Sequence, residues 1–345
     1  SAAIIDIPLL ILAALLYRLL RIKLLFGTKE KRHLLSAYYD ADLVVSCGGG
    51  NLYAHFWLSP FFLMSLMALG FAIIIKKRII MLPQSIGPIQ GSLQRWITKM
   101  LLNQVDKIMV REPRSADFLQ KIIRLRKQVI LVPDLAFAPT PIKHPPLLCD
   151  VESNFLKIGV TAIDRAAQTR KKAFTAIQQA AYENLLVSAL TEISRRYTAC
   201  IYLFPQCTGP DLSHDDRKVL QRIYIRLQEQ GIQAVLYGEF DSFLELKAAY
   251  AKMDCFIGSR MHTAIFALSL GIPVILIAYQ PKSLGIMEYF GLSEFCYDIN
   301  SLTSEQLINA FSKLLEDQER LRQTIQEKYY EVKEQLQIWR REIAQ

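Results

Sequence analysis

At 345 residues the chain is long enough for two domains of ordinary size. With 52% hydrophobic and 21% charged residues it can bury substantial cores, which excludes global disorder. There are 41 basic and 32 acidic residues, a net charge of +9, and the six cysteines form no C-x-x-C pair, so neither a zinc knuckle nor a small disulfide scaffold is supported and reduced thiols are expected.

Ile7 to Tyr17 is a run of eleven uncharged residues, followed by Arg18, Arg21 and Lys23. A bilayer span needs about 20 apolar residues, so two choices stay open: a basic amphipathic helix lying on a membrane surface, and a buried helix. No basic segment precedes the run, so a cleavable signal peptide is not expected. Asp40-Ala41-Asp42 has D-x-D spacing, but it precedes its strand, at the end away from a ligand crevice, and reads as a turn. The strand Asp42–Ser46 leads into Cys47-Gly48-Gly49-Gly50-Asn51. Glycines there permit positive φ and close backbone approach, and successive N–H groups can cradle an anion, aided by the dipole of a following helix. A tight turn with no ligand is the alternative. His55 is expected one turn into that helix, where a lone histidine is more often structural. Phe56 to Ile75 is uncharged for twenty residues. Ser59, Pro60, Ser65 and Gly70 break it up and Lys76-Lys77-Arg78 follow, which predicts a buried helix running on toward a strand.

The strand Ile79–Leu82 precedes Pro83-Gln84-Ser85-Ile86-Gly87-Pro88, read either as a pre-organised hydrogen-bonding loop presenting Gln84, Ser85 and Gly87 or as a rigid turn. The strand Ile108–Val110 ends at Arg111-Glu112, where the guanidinium can clamp phosphate or carboxylate, or pair with Glu112 or a surface acid. Residues 76–127 hold twelve Lys/Arg and three acids, so this stretch alone carries the whole +9. Such a field suits anionic partners, with solvated helix faces as the alternative. No nucleic-acid motif accompanies it, and no nucleic-acid partner is expected.

After Val129–Val132 comes a Pro-rich stretch, residues 139–156, with little periodicity. Further strands are predicted at Ile158–Val160, Cys200–Phe204, Ala234–Leu236, Cys255–Ile257 and Val274–Ile277, separated by helical patterns. Apolar strands alternating with helices predict parallel sheets. The fold class is therefore α/β, with two Rossmann-like domains facing across a cleft. The expected boundaries are an N-terminal domain 1–140, a linker 141–156, a C-terminal domain 157–300 and a helical tail 301–345. Ligands are expected at the C-terminal ends of strands. Asp215-Asp216 looks like a helix start. In the run Cys255 to Ala264 a strand ends at Gly258 and a helix begins near Met261, with Ser259 as its expected N-cap. Arg260 and His262 then occupy a helix N-terminus that favours a bound anion. The dipole opposes protonation of His262 unless an anion offsets it. No cluster has metal-ligand spacing, and no G-x-S-x-G occurs.

The segments DADLVVSCGGGN, LPQSIGP, VRE, VPDLAF and GSRMHTAIFALSLGIPVI, in that order, resemble the polysaccharide pyruvyl transferase family over about residues 40–295. The resemblance implies a GT-B-like fold and transfer of the enolpyruvyl carbons of phosphoenolpyruvate to a sugar of a bacterial surface polysaccharide or its precursor, giving a pyruvate ketal and phosphate, with no cofactor or metal. By motif match it assigns donor binding and catalysis to Arg260 and His262, and a phosphate- or carboxylate-binding role to Arg111. Gly48, Gly49, Gly50, Asn51, His55, Gln84, Ser85, Gly87 and Ser259 are the other expected substrate-binding residues. The family's G-x-x-N-x-G-D turn has no counterpart here, so the N-terminal domain is expected to lack the family's first strand. The expected partners are phosphoenolpyruvate, a sugar acceptor that can be lipid-linked, and the surface of a membrane. The expected location is the cytoplasm or the inner membrane face. The alternatives are a GT-B glycosyltransferase using a nucleotide sugar and a non-catalytic membrane-surface component of polysaccharide assembly.

Overall fold

The computed structural model describes residues 7–50, 52–54, 60–140, 155–164, 176–209, 215–279 and 281–344. The chain divides into two compact units, Ser1–Leu135 with Glu334–Gln345, and Ala136–Lys333.

The first unit opens with helices α1 (Ile7–Leu20) and α2 (Lys29–Asp40), the latter capped by Thr28, whose side chain accepts from the Lys31 amide at 3.4 Å. Then come β1 (Leu43–Ser46), β2 (Leu52–Ala54), α3 (Pro60–Ile74), β3 (Arg78–Gln84), β4 (Ile86–Ile89), α4 (Ser92–Leu102), β5 (Lys107–Val110), the short helix α5 (Pro113–Asp117) and β6 (Val129–Leu131). Strands β1, β3, β5 and β6 form a parallel sheet in the order β1-β3-β5-β6, with Val44 opposite Ile79 and Met81 opposite Ile108. Its inner strands are apolar in continuous runs because both faces are covered. Ile79, Ile80 and Met81 are all buried, and Leu66, Leu102 and Leu119 complete the core. A smaller cluster joins Ala13, Ala14 and Tyr17 of α1 to Leu35, Tyr39, Phe71 and Ile75.

Two local expectations are corrected here. The glycine run leads into a strand, β2, and not a helix, so it receives no helix dipole. Leu52 and Ala54 are buried and Tyr53 is exposed, the period of a strand compressed into three residues. The expected loop Pro83–Pro88 is mostly strand as well. Strand β3 continues through Pro83 to Gln84, with a register shift between Met81 and Gln84, where proline withholds an amide. Ile86–Ile89 then pairs with β2 in a separate two-stranded parallel sheet. Asn51 and His55 lie outside the described residues. Helix α3 is buried through Phe62, Leu66 and Leu69, yet Phe61 and Met64 are exposed, so it is not the wholly buried helix expected. Among the described residues no helix is long and apolar enough to cross a membrane. Asp40 closes α2 and forms an ion pair with Lys23.

The second unit comprises β7 (Leu156–Thr161), α6 (Ala176–Tyr197), β8 (Ala199–Leu203), α7 (Arg217–Glu229), β9 (Ala234–Leu236), α8 (Phe243–Tyr250), β10 (Cys255–Gly258), α9 (Met261–Ser269), β11 (Val274–Ala278), α10 (Pro281–Tyr289), β12 (Cys296–Asp298), α11 (Ser304–Glu316) and α12 (Gln318–Ala344), whose last residues return to the first unit. Its sheet is parallel throughout, in the order β12-β11-β10-β7-β8-β9. The chain thus winds outward one way from β7 and the other way from β10, and the order reverses between these two strands. A crevice for ligands opens at the C-terminal ends of strands at such a reversal.

Residues 301–345 are helical through α11 and α12. Helix α11, with Thr303 and Gln306 forming a capping box, packs on α6, and Glu342 near the end of α12 pairs with Lys107 of β5 at 2.6 Å. The boundary between units falls at Leu135/Ala136, while most of the expected linker, residues 141–154, is outside the described residues. The five cysteines among the described residues are free.

Candidate functional site

In the second unit the order reversal gathers the ends of β7, β8 and β10. Gly258 ends β10, and a Cβ there would stand 2.7 Å from Cγ2 of Thr263, so glycine lets the first turn of α9 fold back against its own strand. The Ser259 amide donates to the Thr161 carbonyl at 3.1 Å, and the Thr161 and Thr263 hydroxyls are 2.8 Å apart. Ser259 does not cap the helix as expected. Its buried hydroxyl is 2.6 Å from that of Tyr182, and burial holds the Tyr182 phenol well above its ordinary pKa, so both hydroxyls are neutral partners in a buried network. Arg260 occupies the N-cap position, and its own side chain makes no capping hydrogen bond to the first turn of α9. The Thr263 amide is met by the Arg260 carbonyl at 3.0 Å, and the amides ahead of it in a first turn have no intrahelical acceptor.

His262 follows in the first turn. Every other residue of α9 from Met261 to Ser269 is buried, and His262 alone is half-buried. Its ring lies 6.4 Å from that of Phe266, one turn on.

Arg260 is mostly buried and is not a free clamp. Its Nη2 donates to Oδ1 of Asp216 at 2.5 Å and its Nε to Oδ2 at 3.1 Å, the bidentate fork typical of arginine and carboxylate. Asp216 is 1% exposed and also accepts from the amides of Cys207 at 3.0 Å and Gln206 at 3.3 Å. Burial pushes its carboxyl upward, while Arg260 and the two amides pull the other way and keep the carboxylate partnered. Burial is the largest influence on the guanidinium and works against its charge, but its hydrogen bonds to Asp216 and that carboxylate's charge together outweigh it, and Arg260 is held above its ordinary value. The sequence shows Asp215-Asp216 only as a helix start. Asp216 does precede α7, yet its side chain caps nothing there and turns to an arginine 44 residues away.

The first unit assembles a second group of the predicted residues. The Ser85 amide donates to the Gly49 carbonyl at 2.8 Å, and Ser85 Oγ accepts from Arg111 Nε at 2.8 Å. Arg111 also pairs through Nη1 with Asp134 at 2.5 Å, both side chains being largely buried. Glu112, the partner suggested by sequence, instead accepts from the Ser115 hydroxyl at 3.0 Å. Gln84 is buried and donates to Ser46 Oγ at 3.4 Å. Gly48 is tight, since a Cβ would stand 2.8 Å from the Pro83 carbonyl oxygen, whereas Gly50 has open space around it. The motifs CGGG, PQS, VRE and VPD therefore meet in one network. Asp134, which no residue-type argument singled out, anchors it.

A model of the polysaccharide pyruvyl transferase family matches residues 5–281. The amylovoran biosynthesis protein AmsJ of Erwinia amylovora is 28% identical over 297 residues, covering 83% of this chain and 68% of AmsJ. Among solved structures, a glycosyltransferase from Rickettsia africae ESF-5 has a TM-score of 0.53 at 13% identity, over 93% of this chain and 83% of its own. UDP-GlcNAc 2-epimerase from Neisseria meningitidis, bound to UDP-GlcNAc, has a TM-score of 0.54 at 14% identity, over 90% and 78%. Those two likenesses are of fold alone, and the fold is the GT-B-like α/β class expected from the sequence.

Proposed function

The chain belongs to the polysaccharide pyruvyl transferase family, and on that footing we propose that it transfers the enolpyruvyl carbons of phosphoenolpyruvate to a sugar of a bacterial surface polysaccharide or its precursor. The single observation that carries this is the start of α9: His262 is the one residue of that helix that is not fully buried, beside Arg260, at a helix N-terminus whose N-cap side chain turns to Asp216 instead of capping. Phosphoenolpyruvate brings a carboxylate and a phosphate. A helix start and a guanidinium suit both anions. Asp216 takes the Nε and Nη2 edge of Arg260, so the donor would meet Nη1 on a guanidinium already held in orientation.

In the proposed reaction His262, as imidazolium, gives its proton to the methylene carbon, and the adjacent carbon becomes oxocarbenium-like. A sugar hydroxyl oxygen bonds to that carbon and its proton returns to His262. A second hydroxyl then bonds to the same carbon as the C–O bond to phosphate breaks, the electron pair and the last proton leaving with phosphate. One histidine thus serves as acid and then base. The test is mass spectrometry of phosphoenolpyruvate incubated with candidate lipid-linked sugars. The expected product is the pyruvate ketal, with one phosphate released per ketal and the yield lost in His262→Ala. Consumption of a nucleotide sugar with no ketal would favour a glycosyltransferase instead.

A further inference from the structure

Helices α1, α3 and α4 of the first unit are neighbours, α1 packed on α3 and α3 on α4. None of the three contains an acidic residue, and their charged residues are Arg18, Arg95 and Lys99. Each buries one side and turns large apolar side chains outward. On α1 these include Leu15 and Leu19, the latter 74% exposed; on α3, Phe61, also 74% exposed, and Met64; on α4, Trp96, 57% exposed, and Met100. Helix α1 is apolar on both sides, with Ala13, Ala14 and Tyr17 in the core, Leu10 packed against it, and Leu12, Leu15 and Leu19 outside. A helix of that kind at a water-facing surface has half of its apolar residues without a partner.

Cations gather beside this surface. Arg18 and Arg21 are exposed at the end of α1, the Arg21 guanidinium 5.4 Å from the centre of the Tyr17 ring, while the Lys77 ammonium, 5.6 Å from the same ring, turns inward and donates to the Tyr39 carbonyl at 2.7 Å. Residues 18–32 contain six basic residues and one acid. Exposed leucine, phenylalanine and tryptophan on helices without acids, with mostly basic neighbours, are the composition of a surface that lies in the plane of an anionic bilayer. The 14 described residues of α1 are about 21 Å long, shorter than the roughly 30 Å hydrocarbon core, a length that suits a helix lying in the interface. Two copies meeting through this face would bring like charges together with no acid on the three helices to pair them.

We propose that α1, α3 and α4 form a docking surface for an anionic lipid bilayer, with the exposed apolar side chains seated among the headgroups and Arg18, Arg21 and Lys99 against lipid phosphates. No residue of α9 takes part, so this surface and the pyruvyl-transfer chemistry can fail independently. The experiment is flotation of the full chain with phosphatidylcholine vesicles, with and without phosphatidylglycerol. Binding is expected to the anionic vesicles only, and to be released by salt. Leu15→Asp/Leu19→Asp should abolish it. Arg18→Gln/Arg21→Gln should weaken it roughly fivefold for each cation removed. Both variants alter exposed side chains and should keep the wild-type melting temperature, with the arginine variant deciding the matter if the leucine variant does not fold. Failure of wild type to float with anionic vesicles would overturn the proposal. So would binding untouched by the folded variants, or a lipid-free dimer that Leu15→Asp/Leu19→Asp dissolves while wild type ignores vesicles.

Discussion

Arg260 and Asp216 show how a residue can be recognised by type and still be misjudged by surroundings. A cleft arginine would be expected to tolerate truncation, but here the guanidinium neutralises a carboxylate that is 1% exposed. Removing one partner of such a pair typically costs about 3–5 kcal/mol, because the other is left buried and uncompensated. Arg260→Ala is therefore expected to destabilise the protein substantially, and Asp216→Ala/Arg260→Ala to recover part of the loss. Urea denaturation of the two single variants and the double variant measures the coupling, and strict additivity would contradict a functional pair. The place of His262 was legible, because a strand end followed by an apolar helical run puts it in the first turn of that helix. Asp134 and Asp216 were not legible, since their partners are 23 and 44 residues away and no local pattern links them.

Lys247 supplies a pH dependence. It is buried in α8, its ammonium 5.7 Å from the centre of the Phe266 ring and 3.4 Å from the Ala138 carbonyl, and burial pulls its pKa down from 10.5 to about 8. The unfolded chain then binds more protons than the folded one between pH 8 and 10.5, so this group's contribution rises with pH across that window and is lost as pH falls through 8. The gain from Lys247→Met is expected to be largest below pH 8 and to shrink toward pH 10.5. Thermal melts of both proteins at pH 7, 9 and 10.5 test this, and a pH-independent difference would contradict it.

At the scale of elements, the central strands were readable because parallel strands covered on both faces must be continuous apolar runs. Strand Ala234–Leu236 has the predicted limits, and the other predicted strands differ at their ends by a residue or two. The three strands missed, β2, β4 and β12, have at most four residues each and lie among glycine, proline and polar residues, where periodicity has no room to show. The glycine run changed meaning accordingly. Gly48 is fixed by its contact with the Pro83 carbonyl, not by a following helix, while Gly50 meets nothing. Gly48→Ala is expected to cost about 1–3 kcal/mol, as overpacking does, and Gly50→Ala close to nothing. Equal losses in chemical denaturation would remove close approach as the reason for glycine at 48.

At the scale of the molecule, composition and strand alternation led to a two-unit α/β fold, but strand order within each sheet could not be read, because it depends on which distant strands pair. That order matters most in the second unit, where the reversal between β7 and β10 puts the start of α9 at the place where such sheets hold ligands. The end of the chain was also hidden, since α12 reads as a charge-balanced helix whether or not its last residues rejoin the first unit. The basic stretch 76–127 lies wholly in the first unit, as does the face made by α1, α3 and α4, whereas the proposed donor site is in the second. Calorimetric titration of phosphoenolpyruvate into the full chain, with a chelator present and a nucleotide sugar titrated in parallel, tests the donor assignment most directly. Wild type and His262→Ala should bind phosphoenolpyruvate with similar affinity, and once an acceptor sugar is added only wild type should turn it over appreciably, since proton transfer is worth about 10²–10⁴-fold in rate and little in ground-state binding. A chain that binds the nucleotide sugar and not phosphoenolpyruvate would contradict it.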